Sequence, residues 1–179
     1  MRLFLAIGLS TEVRDALFEE IRRLKPCCEQ GRFTERENLH LTLVFLGEVP
    51  SGRVGAAADA LESARIPMFA LCIGGIGYFR RPGGDVCWAG VENSRALSGA
   101  YGELCARLTV SGFAVEKRPY RPHVTLGRGI VLRGDCRAPD VPPMRMRVDA
   151  VGLMRSDRIA GRMKYTAVHT KRLKGDVVP

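Results

Sequence analysis

Histidine is scarce in this chain, which has only His40, His123 and His169. Other routes to polar chemistry are thinner still. No Cys-x-x-Cys pair exists: Cys27 and Cys28 are adjacent and the remaining cysteines are scattered, so the spacing of a structural zinc site is missing. No run approaches the roughly 18 to 20 apolar residues that span a bilayer as a helix. The apolar opening is soon interrupted by Ser10, Thr11 and Glu12, which makes a poor signal peptide. Aromatic residues make up 7% and are not interleaved with basic ones, which argues against an extended stacking platform for long single strands. No low-complexity linker divides the chain. Irregular cysteines without a secretion signal lead us to expect a cytoplasmic setting with reduced thiols.

What the chain does have is positive charge and a repeated motif. Its formal charge is +9 over 179 residues, which favours a polyanionic partner while saying nothing of fold. The length suits one compact unit, residues 1–179, large enough to bury most of its apolar surface.

The motif is His-apolar-Thr-Leu, present as His40-Leu41-Thr42-Leu43 and again as His123-Val124-Thr125-Leu126. At ordinary composition the frame follows roughly one histidine in several hundred by chance. A single such histidine is usually structural; two among three are hard to dismiss. Both copies sit in strand-like runs, 39–46 and 123–126, where side chains alternate faces, so each His and Thr share one side. Leu41, Leu43 and Phe45 are expected on the opposite, buried side. His169 lacks the frame and is read as a surface or strand-packing residue.

Two imidazoles and two hydroxyls on such strands suit chemistry at a phosphate. An imidazole titrates near pH 6.5, so one can act as base while the other acts as acid. Threonine hydroxyls can donate to an anionic oxygen as charge develops. Metal binding is the rival use of paired histidines, but no second ligand lies near either one in sequence, and no metal or cofactor is expected.

Hydrophobic spacing predicts a strand over 2–7, then a helix capped by Ser10 or Thr11 and running to Leu24, with Val13, Leu17, Ile21 and Leu24 on one face and Pro26 beyond its end. Further helices are predicted over 54–64 and 94–110, the latter burying Leu97, Tyr101, Leu104 and Leu108. Strands are predicted over 69–74, 86–91, 146–153 and 163–172. A turn is expected at 80–85 and a proline-interrupted loop at 133–143. Periodicity alone gives mixed α and β; the order of elements is consistent with two similar halves that share little visible sequence outside the motif.

With these residues in view, the chain resembles the 2H phosphoesterase superfamily, named for two His-x-Thr motifs, and within it the bacterial RNA 2′,3′-cyclic phosphodiesterases, also called 2′-5′ RNA ligases. The resemblance runs nearly end to end. It is carried by Arg2-Leu3-Phe4-Leu5-Ala6-Ile7, by the segment from Glu37 to Val49, by Arg121-Pro122-His123-Val124-Thr125-Leu126-Gly127-Arg128, and by Leu153 to Ser156 with Gly161-Arg162-Met163-Lys164-Tyr165.

The resemblance implies a two-lobed α+β fold, with two antiparallel sheets related by a pseudo-twofold axis around a cleft and helices outside. It implies that His40 and His123 are catalytic, with His40 the acid and His123 the base, and that Thr42, Thr125 and Arg128 bind the substrate phosphate. Arg128 has the wrong strand parity to join His123 and Thr125 unless a bulge or strand end intervenes at Gly127. Lys117, Arg118 and Arg121 are read as steering RNA.

The expected activity is hydrolysis of a terminal RNA 2′,3′-cyclic phosphate to a 2′-phosphomonoester, with reverse 2′-5′ joining by the same proton transfers. Two alternatives stay open: a 2H enzyme acting on a small cyclic nucleotide, and a non-catalytic RNA-binding module. The partner is expected to be an RNA end or small cyclic nucleotide, not a membrane, and the protein is expected to be a monomer.

Overall fold

The strands and helices run in the order β1 (Arg2–Gly8), α1 (Thr11–Leu24), β2 (Cys28–Phe33), β3 (His40–Glu48), α2 (Val54–Ser63), β4 (Pro67–Phe79) and β5 (Asp85–Val91). They continue with α3 (Arg95–Val110), β6 (His123–Leu132), β7 (Met144–Val148), β8 (Ala150–Ile159), β9 (Arg162–Arg172) and β10 (Lys174–Val178). The computed structural model describes residues 1–116, 118–134, 136 and 140–178. Lys117 and parts of the predicted 133–143 loop, residues 135 and 137–139, lie outside the described residues.

Local chemistry explains the helix boundaries. The Ser10 hydroxyl accepts from the Val13 amide at the start of α1, and that of Ser94 accepts from the Leu97 amide at the start of α3, each satisfying one of the amides a helix leaves unpaired. The predicted face of α1, Val13, Leu17, Ile21 and Leu24, is buried, and a short 3₁₀ turn at Lys25–Cys27 holds Pro26 just past its end. On α3, Leu97, Ala100, Leu104 and Leu108 are buried; Tyr101, predicted among them, is only half-buried and stacks on Tyr120 at 4.2 Å.

The strands follow one hydrogen-bonded path, β10-β4-β5-β6-β3-β1-β8-β9, with β2 added on β6 and β7 on β4. Its midpoint is weak: β3 and β6 are joined through the single register pair Leu41 and Val124. On either side the pairing is extensive, so the path divides into two lobes, one built outward from β3 through β1, β8 and β9, the other from β6 through β5 and β4. Pairing is antiparallel except between β10 and β4. Each motif strand is therefore the innermost strand of its lobe. Leu41 and Val124, both fully buried, lock the junction from beneath while their neighbours in sequence face the other way.

Helix α1 packs against β6 and β7, α2 against β8 and β9, and α3 against β3 and β4. The core they close includes Leu3, Leu5, Ile7, Leu17, Leu61, Phe69 and Leu71, all nearly inaccessible. Burial of each such side chain contributes about 1.5 to 3 kcal/mol.

Three differences from the predicted elements have physical causes. The strand predicted over 146–153 is two strands, because the chain leaves β4 at Val148, joins β9 from Ala150 and pairs with β1 from Gly152. Asp149 is the crossing point, and its carbonyl accepts from the Leu173 amide at 2.8 Å. Strand β2 was not predicted because it is a polar edge strand, with Cys28 its only buried residue. The short β10 has too little apolar alternation to be read as a strand.

Candidate active site

Both motif strands carry a one-residue bulge directly after the threonine. In β3, Thr42 pairs with Ala6 but Val44 pairs with Leu5, which leaves Leu43 as the extra residue. In β6, Thr125 pairs with Trp88 but Gly127 pairs with Cys87, which leaves Leu126. A bulge reverses the alternation of side chains beyond it. Two successive residues then face the core: Leu43 and Val44 are 4% and 3% exposed, and Leu126 and Gly127 are likewise buried.

This geometry corrects one expectation and resolves another. Phe45, expected on the buried face, is 43% exposed, because the bulge at Leu43 turns it to the side of His40 and Thr42. The Arg2 guanidinium lies over its ring at 5.0 Å. Arg128, whose simple parity opposed His123 and Thr125, is turned to their side by the bulge at Leu126. The two strands thus present His40, Thr42 and Phe45 from one lobe and His123, Thr125 and Arg128 from the other.

All six line one cavity of about 460 Å³. Its walls are completed by residues that sequence reasoning did not single out, among them Arg2, Phe4, Arg32, Arg158 and Tyr165. Phe45 had a legible signal: it stands five residues after His40, as Arg128 stands five after His123. Asn38, also on the wall, donates its side-chain amide to the Met163 carbonyl at 2.8 Å and so ties the β8–β9 hairpin to the segment before His40. Arg118 and Arg121 line a neighbouring cavity. His169 pairs with Glu62 on the surface at 3.0 Å, away from the site.

The two imidazoles are held alike. His40 Nδ1 lies 2.7 Å from the Asn38 carbonyl, and His123 Nδ1 lies 2.7 Å from the Arg121 carbonyl. A carbonyl only accepts, so each Nδ1 carries the donated hydrogen and each Nε2 is left to exchange a proton. His40 Nε2 sits 2.9 Å from Thr42 Oγ1, so in the neutral ring the threonine hydroxyl donates to it.

Rings brace both imidazoles. Phe4 and Tyr165 pack on His40 with centroids 5.0 and 5.1 Å away, the tyrosine edge-on. Phe79 meets His123 edge-on at 4.9 Å, and Trp88 stands behind at 6.2 Å. The indole has room only because residue 77 is glycine: a Cβ there would approach it to 2.1 Å.

Burial lowers the pKa of both histidines below the ordinary value, since a charged ring loses hydration there. The backbone carbonyl on each Nδ1 works in the opposite direction, and the Arg128 charge adds to the lowering of both; His123 adds further to that of His40. Both rings are therefore harder to protonate than a free imidazole. Among the described residues, no cluster of three His, Cys, Asp or Glu side chains could hold a metal ion.

The sequence from 13 to 160 matches the family model described as the 2′-5′ RNA ligase superfamily. An RNA 2′,3′-cyclic phosphodiesterase of Thermotoga maritima is 37% identical over 72% of this chain and 70% of its own length. One of Escherichia coli is 33% identical over 92% of each chain. The crystal structure of E. coli LigT complexed with 3′-AMP superposes with a TM-score of 0.80 at 30% identity, covering 97% of this chain and 98% of that one.

Proposed function

The chain belongs to the 2′-5′ RNA ligase superfamily, and from that premise we propose that it hydrolyses the terminal 2′,3′-cyclic phosphate of RNA to a 2′-phosphomonoester, with His40 and His123 exchanging the protons. The observation that carries the reading is the matched pair of imidazoles on one cavity, each with Nδ1 anchored to a carbonyl, His40 Nε2 meeting the Thr42 hydroxyl of its own motif.

In this reading the phosphate lies between the two motifs. Its charge draws a proton onto His40, reversing the depression that burial and Arg128 impose on the empty site. His123 takes a proton from water as the water oxygen attacks phosphorus. The bond from phosphorus to the ribose O3′ breaks, and His40 Nε2 delivers its proton to that oxygen. Proton count and charge close, and the 2′-phosphate remains. The family resemblance assigns His123 as the base; it borders both cavities, whereas His40 borders only the smaller. Thr42, Thr125 and Arg128 stabilise the oxygens on which negative charge builds. Phe45 offers an aromatic face beside the phosphate for the terminal nucleoside.

Both proton transfers are assigned to side chains of this chain, so the mechanism requires no metal. Run backwards, with an RNA 5′-hydroxyl in place of water, the same transfers join two strands through a 2′-5′ linkage. All six facing residues come from the two lobes of one chain, which supports reading 1–179 as one bilobal unit; the monomer is part of the same proposal. No helix among the described residues is long and apolar enough to cross a membrane, and we place the activity in the cytoplasm.

The test is to incubate the protein with RNA ending in a 2′,3′-cyclic phosphate and identify the product by phosphorus NMR. The 2′-monoester is expected; a 3′-monoester, or binding with no turnover, would reject this reading.

A further inference from the structure

The cavity that holds both histidines adjoins a larger one of about 680 Å³, which has no place in the hydrolysis just described. The two share Thr42, Phe45, His123 and Arg128, so the larger opens directly beside the reacting centre on the His123 side. Both volumes are within the range of pockets that enclose small ligands.

Its lining has a definite chemistry. Arg80 and Arg81, from the turn after β4, and Arg118 and Arg121, from the segment before β6, join Arg128 on its walls. Glu116 is the one acidic residue on its walls and pairs with Arg118, and Arg80 pairs with Asp85, so the excess of positive charge rests on Arg81, Arg121 and Arg128. Such an excess of guanidinium groups favours a phosphate-bearing ligand over an acidic side chain or a neutral one. The rings of Phe79 and Tyr120 line it as well.

Both rings are tied to the reacting groups. Tyr120 donates its hydroxyl to the Thr42 carbonyl at 3.1 Å and stacks on Tyr101, while Phe79 packs edge-on against His123. The aromatic wall is therefore formed in advance and continuous with the catalytic strands.

We propose that this cavity receives the nucleotide that precedes the cyclic-phosphate terminus, and that it selects RNA ends over free cyclic nucleotides. The base lies against Phe79 and Tyr120, and the phosphodiester linking it to the terminal nucleotide meets the arginines of the two facing loops. This rests on the hydrolytic reading above and adds the polymer to it. Aromatic faces accept any base, so the site reads the presence of a strand and not its sequence.

The experiment compares kcat/KM for a nucleoside 2′,3′-cyclic phosphate with that for a dinucleotide carrying the same terminal base and cyclic end. It uses the wild type, Arg81→Ala, Arg118→Ala and the double variant, with circular dichroism to verify folding. The dinucleotide should be favoured by about tenfold or more, the scale of one charge-assisted contact with stacking. The double variant should reduce it to the level of the mononucleotide, whose own turnover stays within about twofold, and the corresponding lysine variants should restore part of the difference.

Equal turnover of the two substrates by the wild type would overturn the proposal while leaving the hydrolytic reading intact. So would a preference that survives the double substitution, or a parallel loss with both substrates. If the double variant impairs only joining to a 5′-hydroxyl RNA, the cavity holds the acceptor strand and the proposal is wrong. Failure of the wild type on both substrates would instead reject the hydrolytic reading, and this inference with it.

Discussion

Phe45 and Arg128 occupy matching positions in the two lobes: each follows its histidine by five residues, lies past a one-residue bulge, and is turned by that bulge onto the face of the motif. The backbone is thus nearly symmetric where the chemistry is not. One lobe delivers an aromatic face and the other a permanent positive charge that acts on both titrating rings.

Replacing that cation should be visible in the histidines themselves. The Arg128 charge disfavours protonation of both rings, so Arg128→Ala should raise the pKa of each and Arg128→Lys should largely preserve it. Imidazole titration by NMR in the free protein measures this. Unchanged values in the alanine variant would mean that Arg128 does not act on the pair electrostatically. Hydrolysis should fall by about 10²- to 10³-fold in the same variant, the usual loss when one donor to a developing charge is removed.

The hydroxyls should act on the transition state more than on binding. Thr42→Val and Thr125→Val keep the β-branched shape and remove the donor, so kcat is expected to fall with little change in KM. Steady-state kinetics separate the two, and a rise in KM with kcat intact would place the threonines in ground-state binding. Thr42→Val should also loosen His40, because Thr42 Oγ1 sits on its Nε2.

Much of this was legible before any coordinates. Ser10, offered with Thr11 as a cap, announced its helix because capping is a local matter of one hydroxyl and one amide. The motif histidines announced themselves through repetition. Phe45 was misread because a period of two was carried through a position where Leu43 adds a residue, and a bulge between two apolar residues leaves no mark in composition. The split at Asp149 was partly readable: the alternation of Met144, Met146 and Val148 changes parity at Val151 and Leu153. The braces of the site were not readable, because Phe4, Tyr165, Phe79 and Trp88 reach the histidines only through strand pairing distant in sequence.

Gly77 tests one of those braces. With no space for a Cβ beneath the indole, Gly77→Ala should push Trp88 from behind His123, lowering stability by about 1 to 3 kcal/mol as overpacking does. Denaturant unfolding and Trp fluorescence report it together. Wild-type stability and emission would show that the indole has somewhere else to go.

Stability should also respond to acid through the two histidines. Their folded-state pKa values lie below the ordinary value near 6.5, so the unfolded chain takes up protons more readily as pH falls. The stabilisation from keeping them neutral is whole above about pH 6.5 and is lost as pH falls through the folded values. A His40→Ala, His123→Ala double variant should show a shallower decline of unfolding free energy between roughly pH 6.5 and 5 than the wild type. Parallel curves would locate the acid sensitivity elsewhere.

The most direct measurement is the pH dependence of kcat/KM on RNA with a 2′,3′-cyclic end, in enzyme dialysed against EDTA. A bell is expected, because one imidazole must be neutral and the other protonated, and its apparent pKa values belong to the coupled pair. With both rings depressed in the empty site, the maximum should lie on the acidic side of about pH 6.5, and the kcat profile should be displaced upward once the phosphate is bound. His40→Ala and His123→Ala should each remove about 10²- to 10⁴-fold of the rate. A flat profile, a substantial rate in either folded variant, or activity lost to EDTA and restored by a divalent ion would contradict catalysis by the paired histidines.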